Sequence, residues 1–282
     1  MSSFALCNKV ELHIHLEGAA SPEFVREICY SSGMQIPEIF DKSGNYKWQD
    51  FDQFLAIYEI VTNIFLDEKN FEALVRHVLD KQVKENVIYN EIFLGPHLWS
   101  DRPNDRWERF LNIASKVADE YEKKYGIYTY FIIVCIRHLG PEKALEASRF
   151  ASKVKDKNVV GFGMAGDETK FNTLDFMRSF DFAKDSGLGT TTHAGEICGA
   201  KSVDEAIKLG VTRIGHGVRS CESEETIINL SKENILLEVC PGSNIALGLY
   251  PSLDDHPINF LFNKDLPISI STDDPPFFST SL

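Results

Sequence analysis

Val10-Glu11-Leu12-His13-Ile14-His15-Leu16-Glu17-Gly18 is an apolar run that ends in two imidazoles, a carboxylate and a glycine. Side chains alternate across a β-strand, so His13 and His15 fall on the same side, about 6–7 Å apart along the chain. Neutral imidazoles at that spacing can share one divalent cation such as Zn²⁺. Taken alone, a His-x-His pair reads equally well as two packed or surface histidines, and the rest of the chain has to decide.

Seven further short, β-rich apolar runs follow: Val87–Leu94, Tyr128–Ile136, Val159–Met164, Gly189–His193, Arg213–His216, Leu236–Cys240 and Ile268–Thr272. With Val10–Leu16 they make eight. Between them Phe71–Glu85, Trp107–Lys124, Pro141–Lys155, Leu174–Ser186, Ser202–Leu209 and Ser223–Glu233 carry the periodicity of helices packed on a sheet. Eight strands alternating with helices predict an α/β chain closed into a (β/α)8 TIM barrel. The alternative, an open doubly wound sheet, explains less well why polar residues gather after nearly every strand. Residues 18–86 are too long for a simple strand-to-helix connection and predict a helical insertion. In it Phe51, Phe54, Leu55, Tyr58 and Val61 share one helical face, which reads either as a helix packed on the barrel or as a lid over its mouth. No repeat, low-complexity tract or linker divides residues 1–282, which read as one domain.

A chain of 282 residues, 43% hydrophobic and 25% charged, suits a single large core. Its net charge of −13 argues against nucleic acid or an anionic membrane as partner, because no local basic patch offsets the repulsion. The first residues lack the pattern of a secretory signal and no 18-residue apolar run occurs, so the expectation is a soluble, cytoplasmic protein. The six cysteines lack metal-binding spacing and several lie in apolar runs, which predicts buried thiols rather than disulfides.

Barrel chemistry sits at the C-terminal ends of the strands. There the chain places His13, His15 and Glu17 after strand one, His193-Ala-Gly-Glu196 after strand five, Gly215-His216-Gly217 after strand six and Ser271-Thr272-Asp273-Asp274-Pro275 after strand eight. Each motif alone is weak, since a histidine between glycines is usually a packing residue and Asp-Asp-Pro usually a turn. Together, His13, His15, His193 and Asp273 form a ligand set for one Zn²⁺ with a position left for water, as a catalytic site needs. Glu196 is placed to move a proton, and His216 and Asp274 to orient the water and receive its proton.

The ordered motifs HIHLEG, MAGDE, THAGE, IGHGV and STDDP, spread over Lys9 to Leu282, resemble the adenosine deaminase family of metal-dependent amidohydrolases. The resemblance implies a (β/α)8 barrel with one Zn²⁺ per chain that hydrolyses the 6-amino group of a purine and releases ammonia. It assigns the metal to His13, His15, His193 and Asp273, and proton donation at purine N1 to Glu196. It gives His216 the attacking hydroxide, Asp274 both hydroxide and N7, and the backbone amide of Gly166 the N3 contact. Glu17 falls at the ribose contact, and His15 also borders the substrate. The substrate so implied is a purine nucleoside, adenosine and 2′-deoxyadenosine, yielding inosine.

Several residues depart from the pattern. Glu17 replaces the aspartate of the best-known adenosine enzymes, which keeps adenine and other 6-aminopurines open. Met164-Ala165-Gly166-Asp167-Glu168 matches the nucleoside branch and argues against adenine, and Cys240–Pro251 resembles bacterial nucleoside enzymes. Glu91–His97 lacks the usual arginine and serine, with Phe93 and Gly95 in their places. Only seven residues follow Pro275, where the family continues with further helices. This predicts a C-terminally shortened barrel with an apolar flank exposed beside strands eight and one, and leaves a catalytically impaired purine-binding remnant as the second reading.

Overall fold

A computed structural model describes residues 7–282. Strands β1 (Lys9–His15), β2 (Val87–Leu94), β3 (Tyr128–Ile136), β4 (Val159–Ala165), β5 (Gly189–Ala194), β6 (Arg213–His216), β7 (Leu236–Val239) and β8 (Ile268–Ile270) are parallel and stand in chain order. The ring closes just beyond β8. There the Asp273 N–H donates to the His13 carbonyl at 3.0 Å and the His15 N–H donates to the Asp273 carbonyl at 3.2 Å. This is the (β/α)8 barrel, and the open doubly wound sheet is excluded.

The long first connection holds α1 (Pro22–Ser31), α2 (Phe51–Ile64) and α3 (Glu68–Lys84). Each starts where a short polar side chain accepts the free amides of the first turn: Ser21, Asp50 and Asp67. The cap at Asp67 explains why α3 begins three residues before the apolar pattern does. The remaining helices are α4 (Pro96–Trp99), α5 (Asp105–Tyr125), α6 (Pro141–Lys153), α7 (Met177–Asp185), α8 (Ala200–Lys208), α9 (Glu224–Lys232), α10 (Pro241–Ala246), α11 (Ile258–Phe262) and α12 (Pro275–Phe278). The stretch expected as one helix over Leu174–Ser186 is split, because Asn172 and Asp175 cap each other across a 3-10 turn at Thr173–Phe176.

Around the strands, Trp107, Phe110, Phe131, Phe162, Phe176 and Phe180 are fully buried. Each stabilises the fold by roughly 2–3 kcal/mol of apolar transfer. Inside the ring the chemistry differs. Glu11, His13, Thr191 and Glu238 are buried there, and the Arg213 guanidinium bridges Glu91 and Glu238. A polar plug of this kind contributes little net stability, because desolvating the charges offsets their attraction. Its value is to fix side chains. On the outside of the barrel Val10 and Ile270 are 47% and 58% exposed. Cys29, Cys135 and Cys240 are buried thiols as expected. Among the described residues no helix is long and apolar enough to cross a membrane.

Candidate active site

His13, His15, His193 and Asp273 converge at the top of the barrel, each offering an atom that lies within 4.8 Å of the others. Period-two alternation brings the first two, and the ring brings His193 from β5 and Asp273 from the β8–β1 seam. Two outer partners fix the imidazoles. Nδ1 of His13 lies 2.9 Å from Glu238 Oε2, and Nδ1 of His193 lies 2.9 Å from the Met164 carbonyl. Both partners only accept, so Nδ1 carries the proton in each ring and Nε2 presents a lone pair inward. Nε2 of His13 has no hydrogen-bond partner among the described residues, and Nε2 of His193 faces Nε2 of His15 at 3.3 Å. Asp273 Oδ1 lies 3.6 and 3.4 Å from Nε2 of His13 and His15. Lone pairs aimed at one another and at a carboxylate repel unless a cation lies among them. Burial opposes charge on His13, yet without a cation in the cluster the carboxylates of Asp273 and Glu238 outweigh it and hold its pKa up at about 9, so a proton takes the position on Nε2 that a metal would otherwise claim. This donor set fits a divalent metal.

The geometry carries backbone strain. His216 and Asp273 hold positive φ, 62° and 68°, which non-glycine residues occupy at a cost of order 1–3 kcal/mol. Two glycines make the packing sterically feasible. A Cβ on Gly18 would overlap Asp274 Oδ1 at 1.6 Å, and one on Gly215 would meet His13 Cε1 at 2.7 Å.

Glu196, His216 and Asp274 are 6%, 1% and 4% exposed around the cluster. Burial, reinforced by the charge of Asp273, pushes the carboxyls of Glu196 and Asp274 well above the usual range. Asp274 Oδ1 and His216 Nε2 have no hydrogen-bond partner among the described residues. These groups open onto a cavity of about 590 Å³ bordered by His15, Glu17, Gly166, His193, Glu196 and Asp274. The structure therefore brings together every site residue read from the sequence. Glu17 is gripped by Trp99 Nε1–H at 2.9 Å and the Tyr58 hydroxyl at 3.4 Å, while burial lifts it to about 7. Phe51, Phe54, Leu55 and Tyr58 of α2 wall the cavity, and Phe93 sets its ring edgewise against His13 and His15.

Some functional residues were not foreseen. Glu168 accepts the backbone N–H groups of Gly195, Glu196, Ile197 and Cys198, and the Ser202 hydroxyl. One carboxylate thus holds the whole loop that presents Glu196. Ser243 donates to Asp273 Oδ2 at 2.6 Å and Asn244 bonds His216. Glu238, a lone acid in the apolar run Leu236-Leu-Glu238-Val239, did carry a local signal; Glu168, Ser243 and Asn244 sit among polar or small neighbours and carried none.

A family model described as adenosine deaminase matches residues 8–282. The chain belongs to the adenosine deaminase family. This adenosine deaminase family member is 39% identical over 275 residues to a protein named adenine deaminase from Agrobacterium fabrum, covering 97% of this chain and 84% of that one. A protein of the same name from Rhizobium leguminosarum is also 39% identical, with 97% and 85% covered. Among solved structures, the adenine deaminase of Arthrobacter aurescens superposes with a TM-score of 0.86 at 27% identity, covering 95% of this chain and 83% of that one. The N6-methyl-AMP deaminase of Arabidopsis thaliana shares the fold, with a TM-score of 0.84 at 23% identity and 99% and 84% covered. Membership makes the protein a hydrolase of the deaminase class acting on purines.

These relatives overturn adenosine as the leading substrate. The motifs that favoured a nucleoside do other work in the structure. Asp167 accepts from the N–H and hydroxyl of Thr169, Glu168 binds the amides of the Glu196 loop, and Ser243 and Asn244 serve Asp273 and His216. Ala165 and Gly166 of MAGDE line the cavity as Glu17 does, but neither MAGDE nor CPGSN by itself separates a base from a nucleoside.

Proposed function

We propose that this family member hydrolyses free adenine to hypoxanthine and ammonia, with His13, His15, His193 and Asp273 holding a divalent cation, zinc being the natural choice for three imidazoles and a carboxylate. The observation that carries the reading is the set of inward, unpartnered donor atoms beside two buried carboxyls kept ready to hold protons. The 39% identity to proteins named adenine deaminase supports the choice of base.

A cation bound there supplies the acidity that lets water attack near neutral pH. The chain's own residues do the rest. Attack at C6 places negative charge on N1, and Glu196, held protonated by burial, donates there. His216 and Asp274 flank the attacking oxygen, Asp274 also reaching N7, and the Gly166 amide meets N3. The water oxygen becomes the 6-oxo group and the C6–amine bond breaks. The proton that Glu196 gives stays on N1; of the two water protons, one leaves with ammonia and the other returns Glu196 to its protonated state. The aromatic wall of α2 acts as a lid that excludes bulk water and packs on the ring. Glu17 accepts from the imidazole N–H that adenine retains and a nucleoside lacks.

The test is turnover of adenine and adenosine by purified, zinc-reconstituted protein, followed by ultraviolet absorbance and ammonia release. Adenine is expected to exceed adenosine in kcat/KM by about 10²-fold or more, the scale set by leaving a buried polar group unpaired. Equal rates, or preference for adenosine, would reject the assignment.

A further inference from the structure

Asn244 links two buried imidazoles, and the chain of hydrogen bonds has a fixed direction. It starts where the Ile258 backbone N–H donates to Nδ1 of His256 at 3.1 Å. A backbone N–H cannot accept, so that nitrogen bears the lone pair and the proton of the neutral ring sits on Nε2. His256 Nε2 lies 3.1 Å from Asn244 Oδ1, and Asn244 Nδ2 lies 3.3 Å from Nδ1 of His216. His256 and His216 are 3% and 1% exposed and Asn244 is fully buried, so solvent offers none of them an alternative partner. Burial also pulls His256 down to about 4, which keeps the ring neutral in ordinary buffer. Turning the amide over would set N–H against N–H at His256, so the orientation of Asn244 is dictated by the Ile258 amide.

The other neighbour of His216 Nδ1 is Glu196 Oε1 at 3.5 Å. That separation is longer than the 3.3 Å to Asn244 Nδ2, whose hydrogen is already directed at this nitrogen. Nε2 of His216, left without a partner, is 4.0 Å from Asp273 Oδ2.

We propose that His256 and Asn244 are positioning residues that lock His216 as the Nε2–H tautomer, so that His216 meets the attacking oxygen as a hydrogen-bond donor and does not take its proton. Neither His256 nor Asn244 borders the cavity; they act through His216 alone. The inference rests on the role proposed for His216 in deamination, but a tautomer is read without substrate, so the two ideas fail separately.

The experiment uses the zinc-loaded full chain with ¹⁵N-labelled histidine, the His216 signals assigned by their loss in His216→Gln. Long-range ¹H–¹⁵N correlation is expected to place the His216 proton on Nε2. Asn244→Asp replaces the donating amide with an acceptor, and is expected to move that proton to Nδ1. It should lower kcat for adenine by roughly 10- to 100-fold, the range for groups that orient a ligand, with KM little changed. His256→Gln retains an N–H for Asn244 Oδ1 and should preserve both the tautomer and most of kcat, whereas His256→Leu should lose both. An Nδ1–H proton on His216 in the unaltered protein overturns the proposal, as does His256→Leu with tautomer and kcat intact. Should Asn244→Asp fail to fold, the unaltered tautomer and the two His256 variants still decide.

Discussion

Glu238 Oε2 sits 2.9 Å from Nδ1 of His13 inside the barrel, where neither group is touched by solvent. The same carboxyl oxygen accepts from the Thr191 hydroxyl at 3.1 Å, and its other oxygen pairs with Arg213 at 2.8 Å. His13 therefore receives its tautomer from strand seven. Glu238→Gln is expected to weaken metal binding roughly 10- to 100-fold, the usual loss when a partner behind a ligand is altered. Competition with a chromogenic chelator measures this, and circular dichroism separates it from unfolding. An unchanged affinity would show that Glu238 serves Arg213 and not the histidine.

Removing His13 itself tests the ligand set. His13→Ala should purify with markedly less than one zinc per chain and without deaminase activity, read by elemental analysis beside turnover. A full metal complement in this variant would show that the ligands have been assigned wrongly.

Glu196→Gln should separate binding from chemistry. Its amide cannot give a proton to N1, so zinc content and stability should hold while kcat drops by about 10²–10⁴-fold, the usual contribution of general acid catalysis. Residual turnover within a few-fold of the unaltered protein would move the donor role elsewhere.

Glu168→Ala addresses the loop beneath Glu196. It strands four backbone N–H groups and a buried hydroxyl, each unsatisfied donor costing about 1–3 kcal/mol before water or relaxation compensates. Chemical denaturation should register a loss of at least about 2 kcal/mol, and proteolysis should begin in the 195–198 loop. A fully stable, fully active variant would mean that the loop holds itself.

His77 supplies a pH test remote from the metal. Its ring stacks on Phe24 at 4.1 Å, accepts from the Ser21 N–H at 3.4 Å, and is pulled down to about 4 by burial, from 6.5. Because the folded value lies below the unfolded one, protons favour the unfolded chain, and stability falls as pH drops from about 6.5 toward 4. The advantage of the native protein over His77→Gln should therefore shrink by about 2 kcal/mol between pH 7.5 and 4.5, allowing for partial exposure of the ring. Metal release affects both proteins alike and cancels in the difference. A pH-independent difference would mean that His77 titrates normally.

Legibility in the sequence followed distance along the chain. His13 and His15 were visible because a two-residue period is a property of one strand, and the barrel because its apolar runs recur in order. Glu17, Glu196 and Asp274 were legible by their place after those runs. Glu238, Asn244 and His256 were not, because their partners lie on other strands and no local spacing encodes a contact across a ring. Substrate choice was misread for a related reason: the MAGDE and Cys240–Pro251 stretches read as marks of a nucleoside enzyme, whereas Glu168 spends its carboxylate on four amides of the next loop and the Ser202 hydroxyl. Glu11 offered a signal that was passed over. It shares the face of His13 and His15, and it accepts the Thr272 N–H at 2.9 Å, anchoring the seam where the ring closes.

That seam also sets a timetable. Glu11 and Thr272 are 261 residues apart in sequence, and Asp273, the one carboxylate among the metal donors, belongs to the later side of the join. During synthesis His13 and His15 leave the ribosome early and His193 midway, yet the ion's cage stays incomplete until the last strand has emerged. Loop-closure entropy makes such a contact a late event in folding as well. In the proposed site, a nascent chain halted before Asp273 would offer a cation only three scattered imidazoles, so the full donor set forms only once β8 has joined the ring.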